Sequence, residues 1–187
     1  MISAVLDANV LYSSSQRNLL LRIAQRKMFF PVWSDEIHEE WMYNLAKNRP
    51  DLQWEKLEHT RRNMESYFPN SNVHGYESMT PTLTLPDPND RHVLAIAIHA
   101  EAEFIVTSDL GHFPNAVLLP HKIEAVSPDD FVLRLIRLAP LPVLEAVRKH
   151  RSDLTRPSKT VEEYLATLEK QGLTTTVAFL REHEAEI

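Results

Sequence analysis

Four carboxylates draw attention because each closes or opens a segment of regular structure. Asp7 directly follows the apolar run Ile2 to Leu6, Glu40 lies beside the stripe Ile37, Trp41 and Leu45, Asp90 precedes the apolar segment that starts at Arg91, and Asp109 follows Phe104 to Val106 after Thr107 and Ser108. Acids at the carboxyl ends of neighbouring strands can converge, and converging carboxylates repel one another and are driven toward protonation unless a cation neutralises them. A hard divalent ion, Mg2+ or Mn2+, suits such oxygen donors. An ion held by carboxylates and waters can activate a water and stabilise charge on a phosphoryl oxygen, which is the chemistry of phosphodiester hydrolysis. Each acid also has a plainer use. Turn chemistry serves equally for Asp7 and Asn9 and for Asp109 in Ser108-Asp109-Leu110-Gly111. Helix capping serves for Asp90, and a solvated helix face for Glu36, Glu39 and Glu40.

The elements that must carry these acids follow from apolar spacing. Ile2 to Leu6 reads as a buried strand, and Ser13 to Ser15 open a helix bearing Leu19, Leu20, Ile23 and Ala24. Ser34 caps a second helix with Asp35 and Glu36 in its first turn and Pro50 at its end, and Leu52 to Tyr67 forms a third, closed by Pro69. Residues 69–89 read as loop with one short strand candidate near Val73, and Pro81, Pro86 and Pro88 make Thr80 to Asn89 an extended connection. Arg91 to Ala102 is an apolar helix and Phe104 to Val106 a buried strand, while Ala116 to Leu119 and Lys122 to Val126 are further strand candidates. Ser127-Pro128 starts a helix through Leu138, with Asp129 and Asp130 placed for its dipole. The alternation predicts an α/β protein with a parallel sheet, whose ligands gather beyond the carboxyl ends of the strands. Pro140 and Pro142 mark a change of composition, after which Val143 to His150, Val161 to Lys170 and Thr174 to Glu184 read as helices. The expected domains are therefore residues 1–138 and a helical extension, residues 139–187.

Composition removes several alternatives. With 187 residues, 43% hydrophobic and 25% charged, the chain suits one core with a modest appendage. The absence of cysteine excludes disulfides, thiolate metal sites and a cysteine nucleophile, and suits a reducing cytoplasm. The six-residue run Val93 to Ile98 is far short of the roughly 20 residues that span a bilayer. Asp7 interrupts the first apolar stretch with no basic region before it, so no secretory leader is expected. Three glycines cannot build a phosphate loop or a dinucleotide fingerprint, and the nine histidines contain no His-Glu-x-x-His zinc pattern. The net charge of −6 opposes simple nucleic-acid binding, but Arg17, Arg22, Arg26 and Lys27 form a basic segment that could meet phosphates, with Arg61 and Arg62 as further candidates. A solvated helix face explains those charges equally well. Trp33, Trp41 and Trp54 are assigned to packing rather than base stacking.

Four segments then stand in a telling order: Val5-Leu6-Asp7-Ala8-Asn9-Val10-Leu11, Ser34 to Leu45 with Glu40 inside it, Asp87-Pro88-Asn89-Asp90-Arg91-His92-Val93-Leu94-Ala95-Ile96-Ala97, and Thr107-Ser108-Asp109-Leu110-Gly111-His112-Phe113-Pro114. With the later Val126-Ser127-Pro128-Asp129-Asp130-Phe131, the chain resembles the PIN-domain family of ribonucleases, which includes the toxins of VapBC-type toxin–antitoxin pairs. The resemblance spans residues 1 to about 138. It implies a three-layer α/β/α sandwich around a parallel sheet and a metal-dependent endoribonuclease acting on single-stranded RNA. Carried over residue by residue, Asp7 and Asp109 would be the principal ligands of Mg2+ or Mn2+, Asp90 would complete the metal site, and Glu40 would orient or deprotonate the attacking water. Asn9 and Thr107 would brace the quartet, and Asp87 is the reserve for the role of Asp90. The implied partners are RNA, an antitoxin protein and a second copy of the chain. Two alternatives stay open: a catalytically silent PIN-like module that binds RNA or protein, and a Mg2+-dependent phosphohydrolase of the haloacid-dehalogenase type. The second lacks its usual general acid, because Asn9 stands where that family carries the second Asp of Asp-x-Asp.

Overall fold

A computed structural model describes residues 1–187. In chain order its elements are β1 (Ser3–Leu6), α1 (Ala8–Tyr12), α2 (Ser14–Gln25), β2 (Phe30–Val32), α3 (Asp35–Asn48), α4 (Trp54–Tyr67), α5 (Arg91–His99), β3 (Phe104–Val106), α6 (Asn115–Leu118), β4 (Glu124–Val126), α7 (Pro128–Leu138), α8 (Pro140–Asp153), α9 (Val161–Glu169) and α10 (Thr174–Arg181), with short 3-10 turns between some of them. They form two compact units, one of Ile2–Tyr12 and Phe30–Val126, the other of Met1, Ser13–Phe29 and Ser127–Ile187. No helix is long and apolar enough to cross a membrane.

The first unit holds the whole sheet, which is parallel in the order β2-β1-β3-β4. β1 and β3 are central, and Ala4, Val5, Leu6, Ile105 and Val106 are fully buried, as an apolar run without alternation requires when both faces are covered. Register pairs Leu6 with Val106. Asp7 and Thr107 therefore leave the sheet side by side, and the Asp7 amide still donates to the Val106 carbonyl at 3.1 Å.

Several local expectations give way to physical detail. Asp7 is not in a simple turn: its carbonyl accepts the amides of Val10 and Leu11 at 3.0 and 3.1 Å and starts α1, which buries Val10 and Leu11. β2 contains Pro31 and was not expected, but it is an edge strand, where a residue without an N–H is tolerated. The strand candidate near Val73 is only a bridge between Trp33 and Asn72. Thr80 to Asn89 is not wholly extended, because Pro81 and Pro88 each sit in the first turn of a short 3-10 helix, Thr80–Thr82 and Pro88–Asp90. Ala116 to Leu119, expected as strand, is the helix α6 and the start of a 3-10 turn; four apolar residues fit either period, and Pro120 belongs to that turn. α5 stops at His99 rather than Ala102, and β4 begins at Glu124 because Lys122 has a left-handed φ of 58°. α8 begins at Pro140, with both prolines in the first turn, where missing amides cost nothing.

In the second unit the Asp129 carboxylate does more than complement the α7 dipole. It accepts the amides of Thr175 and Thr176, both at 2.8 Å, and so supplies the cap that α10 lacks locally. Phe29 packs edge-on against Phe131 with ring centroids 4.9 Å apart. Thr160 and Glu163 form a reciprocal capping box at α9. His150 on α8 is buried, with Nδ1 3.0 Å from the Tyr164 hydroxyl on α9.

Burial, with the charge of Arg22, pushes the His150 imidazole from its ordinary 6.5 down to about 4. The folded state thus resists protonating a group that the unfolded chain protonates readily. Stability tied to His150 is complete above about pH 6.5 and drains away as pH falls toward about 4. Between pH 7 and 4 the native chain should lose about 3 kcal/mol more than His150→Asn. Urea unfolding at several pH values measures this, and parallel pH slopes for the two proteins would refute it.

Candidate active site

The two central strands deliver the first part of the site. Asp7, 4% exposed, places Oδ1 to accept the Ala8 amide at 2.7 Å and Oδ2 to accept the Thr107 hydroxyl at 2.7 Å and the Asn9 side-chain amide at 2.8 Å. The same Asn9 Nδ2 lies 3.0 Å from Asp109 Oδ2 and 3.0 Å from Thr107 Oγ1, while Asn9 Oδ1 accepts the Ser108 amide at 3.1 Å. Thr107 Oγ1 also accepts the Asp109 amide at 3.0 Å. Asn9 therefore holds Asp7 and Asp109 on one side chain, and Thr107 locks Asp7 to the strand beside it.

The second part comes from helices. Asp7, Asp90 and Asp109, with Glu40 from α3, line one cavity of about 490 Å3, together with Asn9, Asp87 and His112. Tyr12 and Asn48 also line it, and the Asn48 side-chain amide donates to the Tyr12 hydroxyl at 3.2 Å. The capping explanation for Asp90 fails: Asp90 makes no capping bond, whereas Asp87 caps the 3-10 turn by accepting the Asn89 amide at 2.9 Å. The Asp90 carboxylate is left to meet His112 Nδ1 at 2.7 Å.

Electrostatics records the crowding. Burial pushes Asp7 from 3.8 up to about 6; the bonds from Thr107 and Ala8 pull it back, and the charges of Glu40 and Asp90 add to the rise. Asp90 is raised by burial, with His112 opposing and Asp87 and Glu40 adding. His112 is raised chiefly by its bond to Asp90. His92, buried on α5, is lowered by burial, but Glu40 and Glu36 outweigh that and the net shift is upward. Its Nε2 is 3.5 Å from Glu40 and its Nδ1 3.7 Å from Glu36.

Ligand atoms of Asp87, Asp90 and His112 all lie within 4.8 Å of one another, close enough to share an ion. Carboxylate oxygens with one imidazole nitrogen, in a cavity where acids already resist ionisation, fit a divalent cation of the Mg2+ or Mn2+ type. His92 and His112 are the site residues that sequence reading missed. Zinc-type spacing of the nine histidines does not reveal them; their signal is position, His92 two residues after Asp90 and His112 three after Asp109 in a single 3-10 turn.

The basic candidates fall elsewhere. Arg17 is 6% exposed, Arg22 pairs with Asp153, and Arg26 pairs with Glu145 at 3.0 Å, all in the helical unit together with Lys27. Arg61 is occupied by Asp35 and Glu65 at 2.5 and 2.9 Å. Trp33 and Trp41 are fully buried, as packing requires, whereas Trp54, at the start of α4, is 43% exposed and does not belong to the core.

Residues 3–111 match the family model described as PIN domain, and the chain belongs to the PIN-domain family. The parallel sheet followed by helices agrees with the α/β/α class expected of it. Residues 128–182 match a second model, described as VapC50 C-terminal domain. A Mycobacterium tuberculosis protein named "Putative ribonuclease VapC50" is 57% identical over 44 residues, a stretch that covers 24% of this chain and 26% of that protein. No solved structure matches.

Thr107 tests the bracing network without touching a metal-type donor. Thr107→Val removes the hydroxyl that donates to Asp7 and accepts from Asn9 and the Asp109 amide. It should cost about 1–3 kcal/mol in chemical unfolding at neutral pH, while Thr107→Ser keeps most of that stability. A loss in Thr107→Ser with none in Thr107→Val would mean that the methyl, not the hydroxyl, matters.

Proposed function

We propose that this protein is a metal-dependent endoribonuclease that hydrolyses phosphodiester bonds of single-stranded RNA, acting as the toxin of a toxin–antitoxin pair in the cytoplasm. The observation that carries the reading is the convergence of Asp7, Glu40, Asp90 and Asp109 on one cavity, with Asn9 and Thr107 orienting the buried members. Family membership and the partial likeness to a protein named as a ribonuclease support it.

In this reading Asp7, Asp90 and Asp109 would hold Mg2+ or Mn2+, and Asp87 and His112, whose ligand atoms lie within 4.8 Å of that of Asp90, line the same cavity. The bound cation supplies charge stabilisation at the phosphoryl oxygens and a more acidic water. Glu40 orients the attacking water and takes its proton, and His92 beside it limits where that carboxylate can point. Asn9 keeps Asp7 and Asp109 from splaying apart. RNA contacts through the exposed end of the basic segment, Arg26 and Lys27, a homodimer and an antitoxin partner belong to the same proposal, whereas the buried Arg17 is withdrawn from it. So does the division into a nuclease domain, residues 1–138, and a helical extension, residues 139–187.

The decisive experiment incubates a labelled single-stranded RNA pool and a duplex control with purified protein plus Mn2+, plus EDTA, and with Asp7→Asn plus Mn2+. Cleavage should require Mn2+, favour the single strand and fall at least about 100-fold in Asp7→Asn, and Glu40→Gln should lower it by roughly 10²–10⁴. Folded protein that leaves RNA intact and gains no thermal stability from Mn2+ would instead be the silent binding module.

A further inference from the structure

Beside the acidic cavity lies a second one of about 410 Å3, lined by Glu36, Glu77, Arg91, Thr80 and Tyr76, with Pro81 and Pro88 as apolar walls. Nothing in the chemistry proposed above uses it. Its volume is within the range of small-ligand sites. The sequence joins the two cavities closely. Glu36 and Glu40 are one turn apart on α3, Arg91 follows Asp90, Pro88 separates Asp87 from Asn89, and His92 lies between Glu36 and Glu40. One helical turn is about 5–6 Å between side-chain origins, which suits a base whose own backbone lies at the neighbouring site.

The polar groups of this cavity look unfinished. Arg91 forms no ion pair although two carboxylates line the same space, and its Nε and the Thr80 Oγ1 are buried without a hydrogen-bond partner. Buried donors of this kind are few in native proteins and ask for a partner. The Tyr76 hydroxyl reaches Glu36 at 3.3 Å, which fixes one carboxylate in the wall.

The charge pattern narrows the ligand. Two carboxylates and one guanidinium disfavour a phosphate, and the guanidinium disfavours a cation. A neutral planar molecule with donors on one edge and acceptors on another satisfies both. Among the RNA bases, guanine presents two adjacent donors, N1–H and N2–H2, to a carboxylate, and two acceptors, O6 and N7, in the spacing an arginine fork prefers. The exposed faces of Pro81 and Pro88 offer apolar surface against which an unstacked base can rest, while Tyr76, 5% exposed, contributes the hydroxyl that holds Glu36.

We infer that this cavity is a base-recognition subsite for guanine in single-stranded RNA, placed next to the phosphodiester bound at the acidic cavity. Glu77 and Glu36 accept from the base's N–H edge, and Arg91 donates to its acceptor edge. The inference rests on the nuclease reading for its role in cleavage, but not for base binding itself.

Two experiments separate the two. First, the ends of fragments cut from a random RNA pool with Mn2+ should show guanine enriched at one fixed position, and Glu77→Gln and Arg91→Ala should each reduce that enrichment about tenfold or more. Replacing that guanine by inosine, which lacks N2–H2, should slow the native protein and leave Glu77→Gln little changed. Cutting without base preference, or a preference that neither variant alters, overturns the proposal. Second, binding of 5′-GMP, 5′-AMP, 5′-CMP and 5′-UMP in EDTA is followed by NMR of the full chain. Preferential GMP binding that shifts the Arg91 and Tyr76 signals and weakens in Arg91→Ala supports the subsite even if no RNA is cut. GMP binding no tighter than the other three overturns it, and so does a cavity that takes an arginine-containing peptide but not GMP.

Discussion

Everything in the acidic cavity depends on keeping one buried carboxylate ionisable. Asp7 sits where β1 leaves the sheet, 4% exposed, and an isolated carboxylate there would simply hold its proton. The structure surrounds it with an amide from its own helix start, a hydroxyl from the adjacent strand and an amide from Asn9. Those bonds are available only because β1 and β3 are neighbours in register, with Leu6 opposite Val106. The apolar strands are thus the means by which two polar strand ends meet.

The sheet ends and the helices contribute differently. Asp7, Asn9, Thr107 and Asp109 form one hydrogen-bonded set whose members constrain one another. Glu40 and Asp90 reach the cavity from α3 and from the start of α5, where their partners are the histidines His92 and His112. Each helix-borne acid thereby has a nitrogen opposite it, which limits the mutual repulsion of a cavity rich in carboxylates.

Much of this was legible in the sequence, for identifiable reasons. Strands β1 and β3 are short apolar runs ended by polar residues, and the caps Ser34 and Ser127 do what their residue types suggest. The acids Asp7, Glu40, Asp90 and Asp109 could be named because their positions relative to these elements resemble a family pattern, and the cavity brings all of them together. Where reading failed, local rules were overridden by context. Pro31 argues against a strand until the strand is known to be an edge, and the apolar run at Ala116 carries no period long enough to separate helix from strand. The cap that residue type equally allows at Asp90 is supplied by Asp87, because capping depends on backbone angles around Pro88 that residue type does not reveal. Asp129 does stand in the first turn of α7, but its bonds to Thr175 and Thr176 cross 46 and 47 residues of sequence, beyond any local rule.

The ambiguity between turn chemistry and site chemistry at Asp7 can be argued on energy. A residue that only starts a helix or shapes a turn can be Asn or Ser as well as Asp. Here the acid is pushed to about 6 from 3.8, so near neutral pH the folded chain carries an ionised group that it would hold more easily protonated. The sign follows directly: the stability tied to this group is complete below the ordinary carboxyl range and is lost as pH rises through about 6. The cost above that point is about 3 kcal/mol, against a total stability of roughly 5–15 kcal/mol for a domain of ordinary size. Asn at this position would shape the same start of α1 without that penalty. An acid kept at that cost fits the proposed role of cation ligand, because a cation bound in the cavity it lines would return the cost as binding energy.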